Sequence, residues 1–262
     1  MPNSPQPQPR PGEIEREFGV PIPGRILPPE KWAKTALKKV PHGLLEWEPL
    51  FGRQAPIVID IGCGNGRSTL TSAVGRPDVD HLGIDILPVV IRYATRRANQ
   101  RGLSNVRFAV IGGRELLLEH VAAGSVSEMH IYHPQPFYDP GQIYRRLITP
   151  EFLALTHRSL SASGRVFLQT DNPSYWRYIF QIVPFFFELH EVDGPWPDSP
   201  QGRTRREIIA RSHGLPIFRG EATRRDDLSL DEALRLANEL PPPRFNADRR
   251  LRQLDEIEAR TP

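Results

Sequence analysis

The sequence predicts an α/β protein, a three-layer sandwich wound around one sheet. Short apolar runs alternate with helix-compatible segments along most of the chain. The run Pro-Ile-Val-Ile-Asp-Ile at residues 56–61 leads into glycines at alternate positions, Gly62, Gly64 and Gly66. A second run, residues 81–86, ends in a carboxylate about 20 residues later, where a doubly wound fold places an acid on a ribose diol.

Ile57–Ile61 has the nearly continuous apolar character of a strand buried on both faces. Its turn needs residues that tolerate positive φ and leave no Cβ between backbone and ligand, which glycines supply. A bare glycine-rich turn without ligand remains open on this motif alone. The spacing is G-x-G-x-G behind Asp60, which favours a sulfonium methyl donor over the dinucleotide expected of G-x-G-x-x-G. In that reading Asp60 holds the ammonium of a methionine moiety and Asp85 the ribose.

The 262 residues suffice for one domain with extensions, and 39% hydrophobic with 25% charged residues describe a soluble globular chain. No run approaches the roughly 18 apolar residues of a membrane span. The opening M-P-N-S-P-Q-P-Q-P-R lacks an apolar signal core, so a cytoplasmic location is expected. The single cysteine, Cys63, excludes an internal disulfide and a thiolate cluster. It reads as a packing residue, and no metal is expected.

Residues 1–30 hold many of the 28 prolines and read as a flexible or extended arm. A first helix is expected over residues 28–39, with Trp32, Leu37 and Val40 inward. Residues 88–101 read as a helix facing the sheet through Val89, Val90, Tyr93 and Ala94. Strands are expected at residues 105–111, Val126–Tyr132 and 164–170, with helical pattern over 114–123 and 144–160, the latter broken at Thr149-Pro150. Residues 173–183 form another helix and 185–192 an outer strand. Residues 207–210 and 217–218 complete an antiparallel edge. A helical extension covers 226–262, interrupted by Pro241-Pro242-Pro243, and is expected at the periphery, as a plain surface helix or as an oligomer or RNA contact.

Chemistry gathers at the carboxyl ends of the strands. Two prolines hold Gln135 in His133-Pro134-Gln135-Pro136-Phe137, where an amide could read a purine edge and Phe137 or Tyr138 stack on it; alternatively the prolines end a strand and Phe137 fills the core. Asp171 could accept from the ring N–H and amine of guanine, or Asp171 or Asn172 could cap the helix at Pro173. Thr204 and Glu207 read equally as a base-contacting pair or a capping box. Arg203, Arg205, Arg206, Arg211, Arg219, Arg224 and Arg225, with Arg145 and Arg146, suit a phosphate backbone or a solvated face.

These blocks together resemble the bacterial tRNA (guanine-N7)-methyltransferases. The likeness covers about residues 23–225: Pro23 to Pro28, Phe51 to Gly62, Gly83-Ile84-Asp85, Pro134-x-Pro136, Arg145 to Ile148, Thr170-Asp171 and Thr204-x-x-Glu207. The resemblance implies a Rossmann-like class I methyltransferase fold over 31–225, with a mostly parallel seven-stranded sheet. It further implies S-adenosylmethionine as cofactor and the variable-loop guanine of tRNA as substrate. Asp60, Gly62, Gly64, Gly66, Asp85, Ile86, Gly112, Gly113 and Arg114 would then serve the donor. Gln135, Asp171, Thr204, Glu207, Arg145, Arg146, Arg205 and Arg206 would serve the acceptor, with Gln135 at the catalytic position. Six positions depart from the family pattern. Asp60 and Asp85 stand for glutamates, Gly112-Gly113 for Asp-Ala, Gln135 for a carboxylate and Asp139 for a lysine. Redirection to another RNA or small-molecule nitrogen, or a catalytically impaired tRNA-binding homologue, stay open at this point.

Overall fold

The computed structural model describes residues 10–37 and 40–260. Seven strands form one sheet: β1 (Ile57–Ile61), β2 (Asp80–Asp85), β3 (Val106–Val110), β4 (Val126–Tyr132), β5 (Leu160–Thr170), β6 (Phe187–Glu191) and β7 (Phe218–Arg224). Their spatial order is β3-β2-β1-β4-β5-β7-β6. β1 to β5 run parallel, whereas β7 pairs antiparallel with both β5 and β6. The expected edge is thus corrected. β7 lies inside the sheet, β6 is the outer strand, and residues 207–210 are helical.

The longer helices are α1 (Arg67–Gly75), α2 (Pro88–Gln100), α3 (Pro150–Ser159), α4 (Pro173–Ile182), α5 (Arg205–Ser212), α6 (Leu230–Glu239) and α7 (Arg252–Arg260). Thr149 caps α3 by accepting from the Phe152 amide. Asn172, not Asp171, caps α4 by accepting from Ser174 and Tyr175. Proline follows each cap, where its missing N–H goes unneeded. Every residue of β1 is buried. Ile57, Ile59 and Ile61 join a core cluster with Phe152, Leu153 and Ile179, while Leu70, Ala94, Ala98 and Phe108 form a second cluster. Burying each large aliphatic side chain contributes roughly 1.5–3 kcal/mol, which places the glycine turn on a rigid base.

α2 buries Ile91, Ala94 and Ala98; Val89 is 47% exposed and Val90 and Tyr93 only half-buried, so its inward face is rotated from the expected one. Residues 28–37 do not make the expected helix. Only Pro29–Lys31 turn, and Trp32 is extended. Ala33 donates to the Asn99 carbonyl and Thr35 to the Asn99 side chain, so hydrogen bonds to the end of α2 replace helical ones. Lys38 and Lys39 lie outside the described residues, as do residues 1–9 of the arm. The rest of the arm packs on the domain, with Ile22 and Ile26 buried and a short hairpin pairing Arg16–Glu17 with Val20–Pro21. Among the described residues no helix is long and apolar enough to cross a membrane.

Candidate active site

Gly62, Gly64 and Gly66 sit at φ of 78°, 54° and 80°. A Cβ on Gly62 or Gly64 would meet nothing within 4 Å, whereas one on Gly66 would lie 2.7 Å from Ala94 Cβ. The first two therefore border open space, and the third lets the turn touch α2. The Gly62 and Cys63 amides both donate to the Ile84 carbonyl at 2.8 and 2.9 Å. Asp85 completes the tie, its two oxygens accepting from the Gly64 and Leu87 amides at 3.1 and 2.9 Å. Burial raises its carboxyl, opposed by those amide hydrogen bonds.

Asp60 is 2% exposed and accepts from Thr69 Oγ1 at 2.6 Å. Burial raises its carboxyl too, against the pull of His130 and Thr69. A carboxylate this deep supports the turn from beneath by tying β1 to α1. Cys63 is buried and its thiol is pushed far up by burial, as a packing residue's should be.

Beside the turn, Ile86 is 59% exposed and Val110 46%, two aliphatic groups at the ends of adjacent strands. Gly112 borders open space, the nearest atom to its Cβ position being Glu115 Oε2 at 3.9 Å. Gly113 is sterically required, since a Cβ there would lie 2.6 Å from Ile61 Cγ2. Arg114 pairs at the surface with Glu151 at 2.6 Å.

The neighbouring rim begins with the proline loop. His133 and Phe137 bracket it at φ of 50° and 43°, left-handed values that cost bulky residues energy and persist only when surroundings enforce them. Pro134 and Pro136 are buried and Gln135 is exposed between them. Arg146 enforces the loop. Only 3% exposed, it donates to the carbonyls of Pro136, Phe137 and Pro243 at 2.6, 3.0 and 2.7 Å. It also lies 3.7 Å over the Phe245 ring. With its donors so spent, Arg146 is a positioning residue rather than the expected phosphate contact. Arg145 is exposed over the Phe137 ring, beside an 81% exposed Tyr144.

Behind the loop lies a buried polar network centred on Gln169, which sequence reasoning missed. Its Oε1 accepts from Trp196 Nε1 at 2.5 Å and Arg219 Nε at 3.2 Å, both donor-only groups, so the amide orientation is fixed. Its Nε2 must then donate to Glu207 and to His133 Nε2, at 3.1 and 2.8 Å. The His133 proton consequently resides on Nδ1, facing Asp171 at 3.5 Å. The nearest sequence signal was the adjacent Thr170-Asp171, since Gln169 itself reads as an ordinary strand residue.

Asp171 accepts from Arg206 Nε at 2.7 Å. Against burial, which raises it, His133 and Arg206 hold its carboxyl far below the usual range. Thr204 caps α5 by accepting from the Glu207 amide at 3.0 Å, so the capping reading of this pair holds. Glu207 is fully buried among Arg219, Gln169 and the Arg203 amide, and the open rim does not reach it. Arg203, Arg205, Arg206 and Arg219 are likewise buried, and Arg224 and Arg225 pair with Asp226 and Asp227. The arginine crowd is therefore an internal ion-pair network more than a basic face. Glu17 of the arm joins it, accepting from Asn65 at 2.6 Å and lying 3.7 Å from Arg67.

The strand order, the glycine turn after the central strand and the acid after the next strand together define a class I S-adenosylmethionine-dependent methyltransferase. Residues 54–219 match the family model described as "Putative methyltransferase". The chain is 33% identical over 176 residues to the tRNA (guanine-N(7)-)-methyltransferase of Pseudoalteromonas atlantica, covering 66% of this chain and 73% of that one. It is 32% identical over 203 residues to the enzyme of the same name from Arthrobacter sp., covering 74% of this chain and 64% of that one. The chain thus spans just under two thirds of that relative's length. The solved structure of the 16S rRNA methyltransferase KamB shares the fold, with a TM-score of 0.54 at 15% identity over 72% of this chain and 98% of that one. This chain belongs to the tRNA (guanine-N(7)-)-methyltransferase family.

Proposed function

We propose that the chain transfers a methyl group from S-adenosylmethionine to N7 of a guanine in tRNA. The observation that carries the reading is the open space over Gly62 and Gly64, beside the strand end that bears the exposed Gln135, in a chain of this family. The bound donor supplies an electrophilic methyl on a sulfonium. The residues around the turn suit such a ligand: backbone at Gly62 and Gly64 can be approached closely, and the half-buried Asp85 can accept from ribose hydroxyls. Ile86 and Val110 offer aliphatic walls for an adenine, and the open Gly112 leaves room beside them.

The acceptor side is equally specific in what it omits. Guanine N7 carries a lone pair and no proton, so the transfer needs alignment and no general base. Gln135 is uncharged, and the His133 proton is directed at Asp171, which leaves neither poised to take a proton from an acceptor. The Gln135 amide can instead orient the purine, held still by the two prolines and by Arg146. Phe137, Tyr144 and Arg145 provide aromatic and guanidinium surfaces for neighbouring bases. Mass spectrometry of nucleosides from unmodified tRNA incubated with donor tests the assignment. 7-Methylguanosine is the expected product; methylation of another base, or of none, would overturn it.

A further inference from the structure

The helix α7 lies across the acceptor rim instead of at the periphery where its sequence suggested. Its Asp255 accepts from Arg206 Nη1 at 2.5 Å and its Glu258 carboxylate lies 3.6 Å from the same nitrogen. Arg205 Nη2 donates to the Glu258 carbonyl at 2.8 Å, and Arg252 pairs with Asp139 at 2.9 Å, next to the proline loop. Leu251 and Leu254 are buried against Ile209 and Ala210 of α5, with Tyr138 at the margin, in a cluster separate from the main core. Seen from Arg206, the tail carboxylates occupy the side opposite Asp171, whose oxygen takes the Nε hydrogen.

We infer that α7 is a displaceable acidic strap: its carboxylates occupy the guanidinium groups of the acceptor rim until the phosphates of an RNA replace them. The inference rests on the RNA-methylating reading of the same rim. A guanidinium accepts carboxylate and phosphate by the same planar geometry, so the exchange is between like ligands. The seat is also a weak one. A nine-residue helix is too short to persist alone in water, and its buried apolar anchors are few, Leu254 and, just before the helix, Leu251, each 4% exposed. Its carboxylates are poorly compensated, because Asp171, Asp255 and Glu258 crowd around Arg206. Burial raises both the Asp255 and Glu258 carboxyls in spite of that arginine. A polyanion with several phosphates meets the same guanidiniums without sharing them with a third carboxylate of the chain.

The test compares the full chain with the near-isosteric double variant Asp255→Asn, Glu258→Gln. The measurement is binding of a fluorescein-labelled unmodified tRNA transcript without donor, alongside calorimetric titration with S-adenosylmethionine. The strap account predicts tRNA affinity raised roughly tenfold, the gain expected if the rim is open about a tenth of the time, with donor affinity unchanged. It also predicts that saturating tRNA removes hydrogen-exchange protection from residues 252–260 of the parent chain. Equal or weaker tRNA binding by the variant, or undiminished protection of α7 in the complex, would overturn the strap while leaving the reading of the site intact. If the parent chain and the variant both lacked affinity for tRNA, the reading of the site would fall and the strap with it.

Discussion

Replacing Arg146 separates the two roles that an arginine beside this loop can have. If it pins the loop, Arg146→Met strips partners from three carbonyls, those of Pro136, Phe137 and Pro243. Leaving a buried polar group unpaired costs about 1–3 kcal/mol each. Methionine recovers the apolar contact with Phe245, so the loss to expect is on the order of 3–5 kcal/mol of unfolding free energy. Arg146→Lys keeps the charge but offers a compact ammonium in place of a planar fork, and should restore less than half of that. Denaturant unfolding of the three proteins measures the difference, and tRNA affinity as a function of salt is recorded in parallel. A phosphate-contacting arginine behaves otherwise: surface substitutions usually move stability by less than about 0.5 kcal/mol. They weaken RNA binding and reduce the salt slope by about 1. That second pattern, with stability unmoved, would refute the pinning role.

The glycines of the turn should divide by function. Gly62→Ala, at a positive φ with open space beyond it, should cost about 1–2 kcal/mol in folding and abolish most donor affinity. Gly66→Ala, 2.7 Å from Ala94 Cβ, should destabilise the fold more, and thermal melts with donor titrations distinguish the two. A pH effect is expected from His81, which burial and the nearby Arg76 hold neutral down to about 3. The unfolded chain protonates this ring near its ordinary value, so stability is fully present above about 6.5 and is lost as pH falls toward 3. The loss reaches on the order of 3 kcal/mol by pH 4. Comparing unfolding of the parent and His81→Gln at pH 7 and 4.5 checks it, since the variant should lose less on acidification.

Much of the fold was legible because its signals are local. An apolar run meets a glycine turn at Gly62, and proline follows a capping side chain at Thr149-Pro150 and at Asn172-Pro173. The bounds of β1 and β4 follow from such runs alone. What the sequence hid are pairings between distant residues. Arg206 looks like one of a basic cluster until Asp171 and Asp255, 35 and 49 positions away, are brought to it. Gln169 carries no local mark of its four partners, and Glu207 read as a base contact because nothing nearby disclosed Arg219 or its full burial. Residues 28–37 failed as a helix for the same reason, since Asn99 supplied hydrogen bonds that no window around Trp32 contains. The donor cradle is written in neighbouring residues, whereas the acceptor rim is assembled from four separated segments.

Side-by-side calorimetric titration of the full chain with S-adenosylmethionine and with a nicotinamide dinucleotide tests the donor cradle most directly. The geometry at Gly62, Gly64 and Asp85 predicts saturable one-to-one binding of the methyl donor and none of the dinucleotide. Heat from the dinucleotide alone, or silence with the methyl donor at millimolar concentration, would contradict it.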